Sequence, residues 1–379
     1  FVCFPIMLIM FFFNKGKKAI LPVCVSAATF AAFSVIYKKL YEITKNDKYD
    51  MEAKIAASIL NKLEGPFSSE TYSDASYMFP RQLPGDLLFF DAVVKFYEGD
   101  LRDIELIEKI FKENDIYAVI HFGGLKSNAE SIEKPELYYD VNLNSTRNVL
   151  SIMKKYSCKY IIFSGSATVY GDSDKVPIVE EDVDPKRILS PYGMTKYENE
   201  IILKEYTENN REIHAISLRY FNPVGAHPSG VLGEDNRQKI PNCLFPYLLK
   251  VAKKELPYLN VFGDKYKTKD GTGIRDYIHI MDLADGHIAA LRYISEMEAN
   301  FDVFNLGTGT GSTVLELVRA FEKENGIKIP YKIVGNRPGD MPISFANVDK
   351  ANKILKWKTK LTINDCVRDA WNFAKQNNI

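Results

Sequence analysis

From Val93 onward the apolar residues alternate between short continuous runs and longer, helically spaced ones. The runs Val93 to Tyr97, Tyr117 to Phe122, Tyr160 to Phe163 and His214 to Arg219 have the length and the β-branched or aromatic character of buried strands. Between them the spacing predicts helices over Ile104 to Glu113, capped by Asp103 after the turn Gly99-Asp100, over Leu137 to Tyr156, and over Tyr192 to Asn209. Strands alternating with helices predict a doubly wound parallel α/β sheet, whose ligands sit beyond the carboxyl ends of the strands.

After Asn222 the rhythm loosens, and Pro and Gly punctuate the chain from Pro223 to Gly233. The pattern then predicts a helix over Pro241 to Lys253, a strand over Tyr258 to Phe262, a helix over Asp282 to Ser295 and a strand over Val303 to Leu306. The last two are expected to return to the main core. Gly307-Thr308-Gly309-Thr310-Gly311 precedes a predicted helix over Thr313 to Glu324, and helices over Asp349 to Leu355 and Ile363 to Gln376 close the chain. Three regions result: an atypical opening over 1–92, a first α/β domain over 93–221, and a smaller α/β domain over most of 222–379.

The opening departs from this order. Phe1 to Phe13 is almost wholly apolar, and Ile20 to Tyr37 is uncharged. That run approaches the roughly 20 residues a membrane span needs, but Ser, Thr, Ala and Cys dilute it. A buried strand and helix is the plainer reading, and no membrane partner is expected. A nucleotide-binding sheet opens with strand, Gly-rich turn and helix, because the glycines let the backbone reach a pyrophosphate. Lys18 to Leu21 reads as such a strand, yet no glycine lies between Gly16 and Gly65. The opening is expected to be the product of a disrupted gene, through a frameshift, a retained intron or a wrong exon joined near Val94, with a truly diverged unit as the alternative.

Composition narrows the function classes. Hydrophobic content is 46% and charged content 26%, ordinary for a packed core. Lys plus Arg equals Asp plus Glu, at 49 each, which argues against a general affinity for nucleic acid or anionic membrane. The five cysteines are odd in number and lack C-x-x-C spacing, so neither a disulfide framework nor a zinc site is predicted, and a reducing, cytoplasmic setting is the simplest. No metal constellation is visible.

The chemistry concentrates in Ser164-Gly165-Ser166-Ala167-Thr168-Val169-Tyr170-Gly171, which ends the strand at Phe163, and in Tyr192-Gly193-Met194-Thr195-Lys196, which opens a helix. Tyr192 and Lys196 are one helical turn apart on one face. An ammonium beside a phenol favours the phenolate, so the Tyr192 pKa is expected to fall towards neutrality. The Ser166 hydroxyl can share a proton with a substrate and Tyr192, a relay suited to interconverting an alcohol and a ketone.

Alone, Y-x-x-x-K is a weak signal, found more often on surface helices with a snorkelling Lys than in active sites. Here it sits with Tyr97-Glu98-Gly99-Asp100-Leu101-Arg102-Asp103, His121-Phe122-Gly123-Gly124-Leu125-Lys126, Leu218-Arg219-Tyr220-Phe221-Asn222-Pro223-Val224-Gly225-Ala226-His227 and Asp270-Gly271-Thr272-Gly273-Ile274-Arg275-Asp276-Tyr277-Ile278-His279. With these segments the chain resembles the extended short-chain dehydrogenase/reductase superfamily and, within it, the UDP-glucose 4-epimerase family. The likeness runs from about residue 93 to the C-terminus, roughly three quarters of the chain. It implies a Rossmann-like fold, NAD as cofactor, a UDP-sugar substrate, a homodimer, and redox-neutral inversion at C4 of UDP-glucose and UDP-galactose.

By the same resemblance, Ser166, Tyr192 and Lys196 are catalytic, with Lys196 also bonding the nicotinamide ribose. Asp100 and Leu101 touch the adenine, Phe122, Gly124, Leu125 and Lys126 line the cofactor, Asn142 orients it, and Ser164 and Tyr220 lie beside it. Gly123 stands where the family usually has Ala, and Gly165 replaces the middle of three serines. Substrate binding falls to Ser166, Asn222, Leu244, Phe262, Arg275, Arg337, Asp340 and Ser344, the two arginines clamping the diphosphate. Cys243 replaces the usual Asn before Leu244. Ser344 falls where the sugar pocket is gated, and its small side chain implies room for a 2-acetamido group, hence UDP-N-acetylhexosamines as well. The Gly307 to Gly311 stretch becomes a turn of the substrate half. Two alternatives stay open: an epimerase-like chain without NAD binding, which the glycine-poor opening favours, and a nucleotide-sugar 4,6-dehydratase. The dehydratase is disfavoured because Ala167-Thr168 follows Ser166 where an acid–base pair is needed.

Overall fold

The computed structural model describes residues 10–13, 20–23, 97, 99–230, 232–234, 243–336 and 341–377, the first two segments as backbone only. These, β1 (Met10–Phe13) and β2 (Ile20–Val23), pair antiparallel. The strand expected over Lys18 to Leu21 is therefore met in part by β2. The segment that would follow it as turn and helix lies outside the described residues, as does the strand expected over Val93 to Tyr97, save Tyr97.

The large sheet starts with α1 (Ile104–Glu113), whose Asp103 cap accepts from the amides of Glu105 at 3.0 Å and Leu106 at 3.1 Å. It continues through β3 (Ala118–His121), the short α2 (Asn128–Glu133), α3 (Pro135–Lys155), β4 (Tyr160–Ser166), α4 (Pro191–Asn209) and β5 (His214–Tyr220). After β6 (Asn222–Val224) come α5 (Leu244–Ala252), β7 (Leu259–Phe262), β8 (Ile274–Arg275), β9 (Tyr277–His279) and α6 (Ile280–Tyr293). The chain closes with β10 (Phe301–Leu306), β11 (Ser312–Thr313), α7 (Val314–Asn325), β12 (Tyr331–Val334), β13 (Ile343–Ser344) and α8 (Ile363–Asn377). The helix expected over Asp349 to Leu355 is a π turn at Ala351–Leu355.

Four strands form one parallel sheet in the order β10-β5-β4-β3. β3 is buried throughout and β4 in all but Tyr160, as the apolar runs require of a sheet covered on both faces. β10 joins this sheet although it follows β6 to β9 in sequence, so the two cores interleave along the chain. The first core runs from Ile107 and Ile120 through Ile161 and Ile216 to Phe304 and Trp357. The second packs Phe245, Leu248 and Val261 with Leu317, Phe321 and Val367. Around it lie three small sheets: β11-β8-β13, β12-β7 and β6-β9.

Parallel pairing aligns the strand ends. Ser166 pairs with Tyr220 across β4 and β5, and Leu306 pairs with Tyr220 from the other side. Phe122 follows β3 directly, at the same edge.

Candidate active site

The carboxyl ends of β3, β4 and β5 gather most of the first group of expected residues. Ser166 ends β4 and accepts from the Thr168 amide at 3.3 Å and the Thr168 hydroxyl at 2.9 Å. Its own proton is thereby left for the Tyr192 phenol, which it faces and whose ionised form it favours. Tyr192 enters α4 just behind Pro191, at a helix start capped by Ser190 through the Gly193 amide at 3.1 Å.

The Tyr192 pKa does not fall as expected. Burial pushes the phenol up from its ordinary value, against the smaller pull of Ser166 and of the Lys126 charge. The reason is where Lys196 points. Its Nζ donates to the Ser164 carbonyl at 2.7 Å and to Ser164 Oγ at 3.2 Å, and stands 5.9 Å from the centre of the Tyr192 ring. Burial also pulls the ammonium itself down to about 8, with Glu200 opposing. The lysine is thus held under the site by Ser164 rather than against the phenol.

Asn142 is a clamp. Its Oδ1 accepts from the Leu125 amide at 2.7 Å, while its Nδ2 donates to the Leu125 carbonyl at 3.1 Å and to Thr195 Oγ1 at 2.9 Å. It therefore ties the loop after β3 to α4. That loop turns at Gly124, where φ is +140° and a Cβ would lie 2.9 Å from Asn142 Oδ1. Lys126 is largely exposed and pairs with Glu234 at 3.3 Å. Leu101 is fully buried, and Asp100 holds Arg102, which also reaches Asp140 at 2.6 Å.

Of the substrate-side residues, Arg275 and Ser344 are register partners across β8 and β13. Asn222 starts β6, its amide bonded to the Asp276 carbonyl at 2.9 Å. Leu244 starts α5 and Phe262 ends β7. Arg337 and Asp340 lie outside the described residues. The Gly307 to Gly311 turn wraps the buried Asp276 carboxylate, which accepts from the Thr308 amide and hydroxyl, both at 2.7 Å, and from the Gly309 amide at 3.2 Å. Those donors are committed to an internal anion, which leaves none of the three for a phosphate and supports the structural reading of that turn.

Three further residues adjoin the site, none of which the sequence had given a role. Glu200 lies one turn beyond Lys196 on α4, buried, and takes Arg219 bidentately at 3.0 and 2.6 Å. His287 on α6 touches Tyr220. All three are polar residues on otherwise buried stripes, a signal that spacing offers but function does not label.

The described residues fit one end of a dinucleotide. Lys196 has one of its three N–H directions left beyond Ser164, beside a tightly turned glycine loop. The glycines that would cradle the pyrophosphate are missing between Gly16 and Gly65.

A family model described as the NAD dependent epimerase/dehydratase family matches residues 67–307. Its match begins upstream of residue 93, earlier than the motifs had placed the likeness. The Arabidopsis thaliana protein UDP-glucose 4-epimerase 2 is 48% identical over 326 residues, covering 84% of this chain and 91% of that protein. The Pisum sativum bifunctional UDP-glucose 4-epimerase and UDP-xylose 4-epimerase 1 is 50% identical over 285 residues, 75% of this chain and 81% of its own. The crystal structure of UDP-glucose 4-epimerase from Bifidobacterium longum in complex with NAD+ and UDP superposes with a TM-score of 0.71 at 49% identity, covering 76% of this chain and 84% of that one. Among the described residues no helix is long and apolar enough to cross a membrane, and no group of three or more His, Cys, Asp or Glu is placed to hold a metal.

Proposed function

Because the chain belongs to the NAD dependent epimerase/dehydratase family, we propose that it is an isomerase that interconverts UDP-glucose and UDP-galactose by inverting C4. The observation that carries this is the convergence of Ser166 and Tyr192 at the sheet's carboxyl edge, with Lys196 buried beneath them. When bound, NAD supplies an electrophilic ring that accepts the C4 hydrogen with its electron pair and gives it back.

The chain's own residues do the rest. Tyr192 takes the proton of the sugar 4-hydroxyl and returns it, with Ser166 bonded to both oxygens as the charge moves. Burial makes the Tyr192 oxygen a strong base once ionised, and the Ser166 proton offsets that. Lys196 is held by Ser164 for the ribose hydroxyls, and Asn142 fixes the loop of Phe122, Gly124, Leu125 and Lys126 along the cofactor. Tyr220 borders the nicotinamide side, and Asp100 and Leu101 the adenine side. The cofactor domain spans 93–221 and the substrate domain most of 222–379. In the latter Arg275 and Arg337 clamp the diphosphate, Asp340 accepts from the nucleoside, and Asn222, Leu244 and Phe262 complete the wall. Ser344, next to Arg275, is small and mostly buried, which supports admission of a 2-acetamido group. A homodimer is what the family resemblance implies, and a reducing, cytoplasmic compartment is the simplest reading of five cysteines without C-x-x-C spacing.

The test is conversion of UDP-galactose to UDP-glucose by the purified chain with added NAD, followed by nuclear magnetic resonance. Tyr192→Phe should lower turnover by about 10²–10⁴-fold. Ser344→Tyr should abolish conversion of the N-acetylated pair while sparing the plain one. No product from the wild-type chain at saturating NAD would overturn the reading. It would favour a second one, binding of UDP-sugars without turnover, which the glycine-free stretch from 17 to 64 supports.

A further inference from the structure

Thr195 lies inside α4, three residues after Tyr192, and is fully buried. Its hydroxyl oxygen is 2.9 Å from Asn142 Nδ2 and 2.8 Å from the Tyr192 carbonyl oxygen. The partners fix the direction of both bonds. Asn142 Oδ1 faces the Leu125 amide at 2.7 Å and Nδ2 faces the Leu125 carbonyl at 3.1 Å, so the side-chain amide has a single orientation. Nδ2 therefore donates to Thr195, and the one proton of that hydroxyl is left for the Tyr192 carbonyl, which can only accept. A directed chain of bonds results, from the Leu125 backbone through Asn142 and Thr195 to the Tyr192 backbone. Both Nδ2 hydrogens of Asn142 are used within it.

The surroundings hold this chain in place. Asn199, one turn beyond Thr195, donates from Nδ2 to the Asn142 carbonyl at 3.1 Å. Ser190, two residues before Tyr192, caps α4 and donates to Asn128 Oδ1 at 2.8 Å. The Tyr138 phenol accepts from the Ser127 amide at 2.9 Å, and its ring meets that of Tyr192 edge-on with centres 6.4 Å apart. The stretch 125–128 is thus bound to α4 on both sides of Tyr192, at Ser190 and, through Asn142, at Thr195. Thr195 is the link that reaches the Tyr192 backbone itself. A carbonyl inside a helix ordinarily takes one bond, from the amide four residues on. The Thr195 hydroxyl adds a second to Tyr192, so the first turn of α4 is set against the loop as well as by helix geometry.

We propose that Thr195 is a positioning residue for the acid–base step: through its hydroxyl, the loop that lines the cofactor fixes where Tyr192 stands. The proposal rests on the roles of Tyr192 and of that loop argued above, but its first readout needs neither turnover nor ligand. Amide hydrogen exchange is followed by mass spectrometry on the full-length chain. Thr195→Val keeps the outline of the side chain and removes the hydroxyl, whereas Thr195→Ser keeps the hydroxyl. In Thr195→Val both 122–128 and the first turn of α4 should exchange about tenfold faster, while β7 and α7 keep the wild-type rate. Thr195→Ser should match the wild type throughout. In turnover of UDP-galactose with NAD, Thr195→Val should lower kcat about tenfold and leave KM within about twofold, and Thr195→Ser should restore kcat.

Unchanged exchange or wild-type kcat in Thr195→Val would overturn the proposal, as would a Thr195→Ser variant as impaired as Thr195→Val, since packing rather than the hydroxyl would then matter. A raised KM at unchanged kcat would also overturn it, placing the effect on substrate binding. Should Thr195→Val fail to fold because its added methyl crowds Asn142 Nδ2, Thr195→Ala removes the same hydroxyl without filling that space and is read by the same criteria. Failure of the epimerase reading would look different: no product from the wild-type chain, with the exchange difference between Thr195→Val and Thr195→Ser intact.

Discussion

The two halves of the molecule hold their functional residues by different means. In the parallel sheet, Ser166 and Tyr220 sit on strand ends and Tyr192 at a helix start, so placement follows from local structure and sheet register. In the second half, β8 and β9 are short, and Arg275 is held by register pairing with Ser312 and Ser344 as well as by the carboxylate beside it. Asp276 accepts from the Thr308, Gly309 and Ala346 amides, binding β8 to two loops distant in sequence. The first half is positioned by repeating backbone geometry. The second adds one buried anion and its donors to strand pairs of only two or three residues.

The largest expected effect lies where the first half also depends on a buried charge. Glu200 fastens α4 to β5 through Arg219 Nε and Nη2 and through Ser217 Oγ at 2.7 Å, while Arg219 Nη1 reaches the Tyr170 phenol and the Glu180 carbonyl. Glu200→Ala leaves a guanidinium without its counter-ion at a buried site, which should cost about 3–5 kcal/mol of stability in chemical denaturation. Glu200→Ala with Arg219→Met should recover much of that loss. If the single variant is as stable as wild type, backbone geometry alone holds α4, and the contrast between the halves sharpens.

Legibility in the sequence follows the same division. The parallel sheet, α1 and the Asp103 cap are readable because the strands are continuous apolar runs and α1 carries a strong apolar period, whereas α4 carries little period and is readable from its Tyr192 to Lys196 motif. The pairs β6-β9 and β8-β13 are not, since two or three residues carry no period and their partners are set by tertiary contacts. Within the site, Ser166, Tyr192 and Lys196 are visible as a spaced motif. The motif could not show that Lys196 turns to Ser164, because that depends on a neighbouring strand's carbonyl. Nor could it show that Asn142 spends its amide on Leu125 and Thr195, 17 and 53 positions away. His287 reads as one polar residue on the buried stripe of Leu283, Ala284 and Ile288, and only the fold sets it against Tyr220.

An intermediate effect is expected in acid, and it tests the seam between β3, β5 and α6. Burial holds His287 at about 4 and His121 at about 3, both below the ordinary value of 6.5. Below 6.5 the unfolded chain takes up protons that the folded chain refuses, so stability falls as pH drops from 6.5 towards those lower values. The His287 share is on the order of 3 kcal/mol at most, fully present above pH 6.5. Chemical denaturation of wild type and His287→Phe across this window should show a shallower decline in the variant. Equal slopes would mean that His287 is not kept neutral by the fold.

The smallest expected effect bears most directly on the substrate half. Thr308→Val keeps the shape of the side chain and removes one donor, the hydroxyl 2.7 Å from Asp276 Oδ1. A hydrogen bond to a charged group is worth about 1.5–3 kcal/mol, and the Thr308 amide at the same oxygen retains part of the anchor. A loss of about 1–2 kcal/mol in denaturation is therefore expected. If Asp276 places Arg275, the loosened anchor should also weaken UDP binding measured by calorimetry, severalfold at most, while NAD binding keeps its wild-type affinity. Weakening of both ligands together would mean that the two cores are coupled through β10, which runs straight into this turn at Leu306 and Gly307. In that case the anion at Asp276 supports the whole cleft, and the two halves are positioned by one device.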